Sequence, residues 1–485
     1  MPRKIDIGGS SASIRSASIV QLGSKIINVV VQLVITMVLA RLLTPAEYGT
    51  VAVLQVFSAL FSILADAGIS TAIARSQGLN QSDYERLFFL SLLIGLGLSV
   101  AFLLLSVGVA WFYGDQIYVP LGSVMTLAVM FNALNMVPNG ILIKERKFKL
   151  IAVRLVVCTV VVGAIAIGLA FLGFGCYAIV LNSVLTALFV LVWNLAGSHL
   201  RMSFGSVREV FAKVGSFSMY NLGNGIISWF ATNVDTLIVG KLFGSEALGY
   251  YNKAYNLYSY PLVILTVPIT DSLLPFLAEF QMDVEALRAR FLRVFRKVSF
   301  LSALCVAGMH VCAAEIILIM YGDAWVPAIP LLSILAFAIY SRGVNGAFTA
   351  LLNATGRADL LMRSTAINTV VTVGMILLGA ALGSVETLSI CIAIAANLEM
   401  ILPIWFCGRF CLDMAPLRFF AHFVPDLGAA LLTCFLAVLI PWNLPNIFVS
   451  AIVKAAFVCA VMFAVKVLVN RFVYHEQIHN IKDII

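Results

Sequence analysis

Charge is scarce in this chain: only 11% of its 485 residues are Asp, Glu, Lys or Arg, where soluble domains carry about a quarter. With 62% hydrophobic residues and a mean hydropathy of +1.03, that shortage excludes a soluble or disordered protein and leaves a membrane protein. Cysteine is also sparse, nine residues scattered mainly through apolar runs (Cys158, Cys305, Cys312, Cys391, Cys459), which excludes a disulfide framework. Cys407 and Cys411 come nearest to a metal-ligand spacing but have no second pair, so no metal is expected. Long polar loops are missing too. The longest connections, near 197–212 and 276–297, are about twenty residues each, shorter than the roughly 50-residue minimum of a domain. No G-x-x-x-x-G-K-[ST] pattern occurs: at Gly240-Lys241 the leading glycine is replaced by Asp235, and Leu242 follows the lysine. ATP is therefore not the direct energy source. Neither H-E-x-x-H nor G-x-S-x-G is present, so no enzyme and no cofactor is expected.

What remains is a series of apolar runs, each near the 20 residues needed to cross a bilayer. Fourteen are found, near 19–40, 48–73, 87–112, 118–143, 151–172, 174–196, 213–240, 247–275, 298–319, 326–352, 362–383, 385–407, 422–441 and 446–469, here numbered spans 1 to 14. The first is too long for a signal peptide and lacks a small-residue cleavage site, so it is expected to be retained. With the N-terminus in the cytoplasm and sides alternating, 24 of the 31 Lys and Arg fall in cytoplasmic segments. Only Arg41 and Lys241 fall in outside turns, and the other five lie within spans. This asymmetry orients the chain with both termini inside. The formal charge of +8 thus marks sidedness, and nothing in the chain reads a nucleic-acid groove.

An internal repeat sets the architecture. Val38–Gly49, VLARLLTPAEYG, matches Ile238–Gly249, IVGKLFGSEALG, at an offset of 200, aligning Arg41 with Lys241 and Gly49 with Gly249. Tyr113-Gly114-Asp115 recurs as Tyr321-Gly322-Asp323, and Asn139-Gly140 as Asn345-Gly346. The expected fold is an all-α membrane protein of fourteen transmembrane helices, with two parallel-repeat six-helix lobes plus two C-terminal helices. The expected divisions are a cytoplasmic N-terminal segment (1–18), an N-lobe (19–196), a cytoplasmic linker (197–212), a C-lobe (213–407), helices 13 and 14 (422–469) and a cytoplasmic tail (470–485). Repeat-built transporters commonly bind substrate near the midplane between their halves.

Polar residues recur at helical spacing inside the spans: Gln21, Lys25, Asn28 and Gln32 in span 1; Gln55, Ser58, Ser62 and Asp66 in span 2; Asn132, Asn135 and Asn139 in span 4. Span 7 carries Asn221, Asn224, Ser228, Thr232 and Asp235, and span 10 carries Arg342, Asn345, Thr349 and Asn353. Either these faces glue helices together or spans 1, 2, 7 and 8 line a polar cavity; five stripes in both halves favour the cavity. A charge at mid-span costs about 2.5–3.5 kcal/mol and needs a partner or a function. Lys25 and Asp66 fall at equal depth on adjacent antiparallel spans, and Asp235 and Lys253 form a second matched pair. Each pair is a neutralising ion pair or a switch that opens on an anionic substrate, with an aspartate exchanging a coupling proton. Lys466, Asp271 and Asp426 are expected to snorkel from span ends. Glu315, Glu399, Lys454 and His310 are expected to be buried and satisfied. Trp111, Trp193, Trp325, Trp405 and Trp442 suit an interfacial belt. The tyrosines of span 8, Tyr250, Tyr251, Tyr255, Tyr258 and Tyr260, suit helix packing or sugar stacking.

Several segments carry a family resemblance: LARLLTPAEYG and LADAGIS in the first half, then TNVDTLIVGKLFGSEALGYYNKAYNLYSYPL, MYGDAWVPAIPLL and LLNATGRADLL. They resemble the polysaccharide-transporter (Wzx-type) lipid-linked oligosaccharide flippases of the multidrug/oligosaccharidyl-lipid/polysaccharide exporter superfamily, over roughly residues 15–420. The resemblance implies a bacterial inner-membrane protein that carries an undecaprenyl-pyrophosphate-linked repeat unit to the periplasmic leaflet. Its partners would be that glycan lipid and a coupling proton or sodium ion, with a polysaccharide polymerase and a chain-length regulator as further candidates. By position, Asp66, Asp235 and Arg342 match polar places in that family, whereas Lys253 lies where the YNxAY segment varies. Spans 13 and 14 would border a groove for the lipid tail, where Lys454 is a departure. The expected substrate-binding set is Lys25, Asn28, Asp66, Asp235, Tyr251, Lys253, Arg342 and Asn345, with Asp66 and Asp235 coupling the ion. A multidrug cation antiporter of the same superfamily is the alternative, and it would favour a net-acidic cavity. A polymerase-like enzyme would need a large outside loop, which this chain lacks.

Overall fold

The structure is a computed structural model describing residues 8–76, 79–198, 200, 207–415, 419–420, 423–442 and 444–472. The N-terminal and C-terminal segments 1–7 and 473–485, and residues 199 and 201–206 of the linker, lie outside the described residues, as do the side chains of Gln21, Asn221, Asn224 and Asp271. Among the described residues the regular structure is helical, and twelve helices are long and apolar enough to cross a membrane. One of them, Gly225–Ala278, is spans 7 and 8 run together. It breaks at Gly244, whose φ of +86° and ψ of 173° no helix contains; only glycine adopts that conformation without a Cβ penalty. Counting it as two and adding the shorter Val424–Leu439 as span 13 gives fourteen. The protein is an all-α, multi-pass membrane protein of two six-helix parallel repeats and two C-terminal helices.

Local signals explain the boundaries. Span 2 starts at Pro45 because Thr44 and Glu47 form a capping box: the Thr44 amide donates to Glu47 Oε2 at 2.7 Å, and the Glu47 amide to Thr44 Oγ1 at 3.4 Å. It breaks at Ala67 and Gly68, both with positive φ, before a short helix Ile69–Arg75. The equivalent stretch of span 8 is also irregular, widening to a π-helix over Leu262–Thr266. The apolar window of span 9 covers only part of its helix, which begins at Val284 on an Asp283 cap.

The chain divides into two compact units, Met1–Gly249 and Tyr250–Ile485. Two of the repeated details occur once in each unit. Gly114 and Gly322 both end their Tyr-Gly segments with positive φ, +77° and +88°. In the first unit Gly140 lies against Ser70, where a Cβ would come 3.0 Å from the Ser70 carbonyl oxygen; in the second, Gly346 lies against Thr270, 2.7 Å from its Cγ2. Ser70 and Thr270 are themselves 200 residues apart, so the sequence repeat is also a packing repeat.

Two expectations are corrected here. Lys466 and Asp426 do not snorkel: they are an ion pair at 2.8 Å with side chains 6% and 4% exposed. Their helices place them side by side, so neither head group reaches an interface. Trp325 is fully buried against Tyr321 (5.4 Å) and Tyr250 (6.0 Å) and is no belt residue, whereas Trp111 is 85% exposed.

Candidate functional site

In the first unit, polar side chains of spans 1, 2, 4, 5 and 6 bond to one another across the helices. Asn28 of span 1 accepts from Thr159 Oγ1 of span 5 at 2.5 Å. Asn132 of span 4 donates to Ser62 Oγ of span 2 at 3.2 Å. At the centre of the network is Arg154, in the second turn of span 5 (Phe148–Phe171). Its Nη1 donates to Asn194 Oδ1 at 2.6 Å and to Asn139 Oδ1 at 3.4 Å, and Asn194 Nδ2 donates on to Asn135 Oδ1 at 2.7 Å. Asn194 is fully buried and Arg154 half-buried. No carboxylate pairs with Arg154 among the described residues, and its Nε is buried without a hydrogen-bond partner. A guanidinium pinned by neutral amides keeps its full charge, which a bidentate anion can still meet.

Lys25 is exposed and makes no ion pair among the described residues. Spans 1 and 5 run parallel, and the Asn28–Thr159 bond fixes their relative height. By helical rise, Lys25 then lies roughly 4.5 Å and Arg154 roughly 7.5 Å from that bond toward the N-terminal ends of their spans. Two cations thus share a depth. Asp66 is not the partner of Lys25; its carboxylate accepts from the Ser70 amide at 3.2 Å and from the Ser70 hydroxyl, bracing the break in span 2. Ser70 in turn donates to the Met136 carbonyl at 2.8 Å. Asp235, 6% exposed, accepts from the Thr236 amide at 2.8 Å.

In the second unit, Tyr251, Tyr255 and Tyr258 form a chain of rings at 5.9 and 4.9 Å, and the Arg342 guanidinium lies 5.9 Å from the Tyr258 ring. Tyr251 and Arg342 are therefore connected through Tyr255 and Tyr258. Lys253, 5% exposed, places its Nζ 5.6 Å from the Tyr321 ring. Asn345, one turn from Arg342, has its Oδ1 buried without a hydrogen-bond partner among the described residues.

Arg154 is absent from the expected substrate-binding set: it is one of the 24 cations assigned above to cytoplasmic segments, although it falls in the predicted span 151–172. Asn194 and Thr159 are absent too, because neither belongs to a stripe. Of the residues expected to be buried and satisfied, Glu315 pairs with Lys454 at 2.6 Å and accepts from Ser450 at 2.6 Å, both through Oε1, while its Oε2 is buried without a hydrogen-bond partner among the described residues; Glu399 accepts from Thr372, and His310 shares a 2.8 Å bond with Ser333.

The profile of a family described as "Polysaccharide biosynthesis protein" matches residues 38–330. The chain is 25% identical to the lipopolysaccharide biosynthesis protein WzxC of Escherichia coli (strain K12) over 360 residues, 70% of each chain. It is 24% identical to the succinoglycan biosynthesis transport protein ExoT of Rhizobium meliloti, over 76% of this chain and 74% of that one. Among solved structures, lipid II flippase MurJ in an inward closed conformation superposes with a TM-score of 0.75, covering 94% of this chain and 98% of that one at 13% identity. An inward-facing multidrug resistance MATE transporter superposes with a TM-score of 0.60, over 81% and 95%, at 20% identity.

Proposed function

The chain belongs to the polysaccharide biosynthesis protein family, and we propose that it is a flippase for an undecaprenyl-pyrophosphate-linked oligosaccharide repeat unit. The flippase would work in the bacterial inner membrane, for surface or exopolysaccharide assembly, with both termini cytoplasmic. The relatives are biosynthesis and transport proteins of lipopolysaccharide and succinoglycan, and the structural neighbours include a lipid II flippase. The observation that carries the choice over a cation exporter is the sign of the unpaired charge. Among the described residues, Arg154 and Lys25 stand at one depth of the first unit without a carboxylate partner. Cations held this way suit a pyrophosphate and repel a cationic drug.

The asparagines around Arg154 and the orphan Oδ1 of Asn345 supply donors and acceptors for sugar hydroxyls, and the tyrosines of span 8 supply apolar faces. The substrate set is Lys25, Asn28, Asp66, Asp235, Tyr251, Lys253, Arg342 and Asn345, to which Arg154 is added. The lobes 19–196 and 213–407 would give alternating access to the two sides of the membrane, and the lipid tail stays in the bilayer. An ion gradient supplies the energy through Asp66 and Asp235, since one charge moved through 100 mV is worth about 2.3 kcal/mol. The chain transports and does not catalyse. A polymerase and a chain-length regulator receive the product on the far leaflet.

Deleting the gene in its native host and analysing surface polymers and lipid-linked intermediates tests this. Loss of one polymer, with its undecaprenyl-linked unit held on the cytoplasmic leaflet, is expected. Intact polymers with raised sensitivity to cationic drugs would replace the flippase with the exporter.

A further inference from the structure

The aligned turns of the repeat meet in an unusual way. A Cβ on Gly49 would overlap the carbonyl oxygen of Ser245 and lie 2.9 Å from the amide nitrogen of Gly249. A Cβ on Gly249 would overlap the carbonyl oxygen of Pro45 and lie 3.1 Å from the Pro45 Cα. Because Ser245 is the repeat mate of Pro45, and Gly249 of Gly49, these are one contact made twice, as across a two-fold axis. Both glycines are buried. Neither has the positive φ that would explain a glycine by backbone conformation. Each sits in the first turns of a helix, where alanine is the better helix former by about 1 kcal/mol. The missing side chain therefore serves the close approach of the two turns.

Neighbouring contacts fasten the same end of span 7. Tyr113 OH donates to the Leu237 carbonyl at 3.0 Å, and Lys241 Nζ donates to the Phe112 carbonyl while lying 4.5 Å from the Phe112 ring. Gly240 lies against Tyr113 and Val53, where a Cβ would come within 3.2 and 3.4 Å of their side chains. Further along, Trp229 Nε1 donates to the Val56 carbonyl at 2.8 Å. These contacts lie within the first unit, and on the orientation proposed above they face the outside.

We propose that Gly49 and Gly249 are the two halves of an outer seal, positioning residues whose lack of a side chain lets the turns before spans 2 and 8 close backbone to backbone while the polar residues of span 7 are shut off from the outside. The proposal rests on the transport reading but not on the identity of the cargo. A methyl group on either glycine holds the turns apart without harming its own helix, so it traps the protein in states open to the outside.

The test is Gly49→Ala, Gly249→Ala and the double variant, in cells of the native host, each also carrying Thr232→Cys. Thr232 is exposed on span 7 and lies twelve residues short of Gly244, roughly 18 Å along the helix. A membrane-impermeant maleimide is added outside, and mass spectrometry reads labelling at position 232, so the native cysteines do not interfere. Each alanine is expected to raise external labelling at least about threefold and to lower polymer export at least about tenfold, at unchanged protein level, with the double variant little worse than either single one. Tyr113→Phe, which removes one fastening hydrogen bond and adds no bulk, is the second variant and is expected to raise labelling by a smaller factor. Unchanged labelling in both the alanine and the phenylalanine variants, whether export is kept or lost, overturns the seal. Raised labelling without loss of any polymer keeps the seal and removes the polysaccharide cargo instead.

Discussion

The two units hold charge inside the membrane in opposite ways. In the second, Asp426 and Lys466 close on each other at 2.8 Å, the other carboxylate oxygen takes the Ser299 hydroxyl at 2.7 Å, and Ser299 meets Tyr340 OH at 2.9 Å. Glu315 and Lys454 make a comparable pair. In the first, the hydrogen bonds of Arg154 among the described residues go to neutral amides. A closed pair is electrically complete and offers a ligand nothing, whereas a cation held by amide oxygens has paid for its burial only in part. On the proposed function the difference separates scaffold from site: the pairs fasten spans 13 and 14 to spans 9 and 10, while Arg154 would meet an anion.

The sharpest way to break the comparison is to remove one member of the tighter pair. Asp426→Ala leaves Lys466 buried and uncompensated and should cost about 3–5 kcal/mol, whereas Asp426→Leu with Lys466→Met should fall near the wild type. Thermal unfolding in detergent distinguishes the two. Equal losses in the single and double variants would mean that the pair does more than neutralise itself. Glu315→Gln tests the second pair, whose side chains are 7% and 12% exposed. It keeps an acceptor for Ser450 and Lys454 but removes the counter-charge. The expected loss is smaller, about 2 kcal/mol, between the values for exposed and fully buried pairs.

Arg154→Met should behave the other way round. It removes a charge that no acid balances among the described residues, so the folded state should lose less than about 2 kcal/mol, the cost of leaving the Asn139 and Asn194 oxygens short of a donor. Export should nevertheless fall at least about tenfold, equivalent to ~1.4 kcal/mol of substrate interaction. An Arg154→Met protein that exports normally would make the first-unit network a scaffold like the second, and the contrast between the units would disappear.

The sequence made the spans legible because a bilayer imposes a length and a hydropathy on each, and both are local properties. The repeat was legible because Gly49 and Gly249, or Gly140 and Gly346, answer to close packing that only glycine permits. Depth and partnership were not. Asp426 and Lys466 are 40 residues apart and each lies near a helix end, so a window that averages hydropathy assigns both to an interface. Arg154 was lost for the same reason, since it follows a run of loop cations and differs from them only in facing Asn194. Lys25 and Asp66 were matched by counting residues from a turn, which fixes height but not azimuth. The break at Ala67 and Gly68 turns Asp66 onto Ser70.

The smallest energy expected is a coupling, between the two hydroxyls that meet in the second unit. Ser299 gives its hydroxyl hydrogen to Asp426, so Tyr340 OH donates to Ser299 Oγ and shares that one hydrogen with the Phe423 carbonyl at 3.3 Å. Ser299→Ala removes a hydrogen bond to a charged acceptor and should destabilise by about 1.5–3 kcal/mol; Tyr340→Phe removes neutral bonds and should cost about 1 kcal/mol. If the four groups form one network, the double variant loses less than the sum of the two, because the Ser299–Tyr340 bond is removed once rather than twice. The coupling should be about 0.5–1 kcal/mol. Additive losses would mean that Asp426 is satisfied by Lys466 and Ser299 alone. Span 10, which carries Arg342 and Asn345, would then be free to shift without disturbing the ion pair.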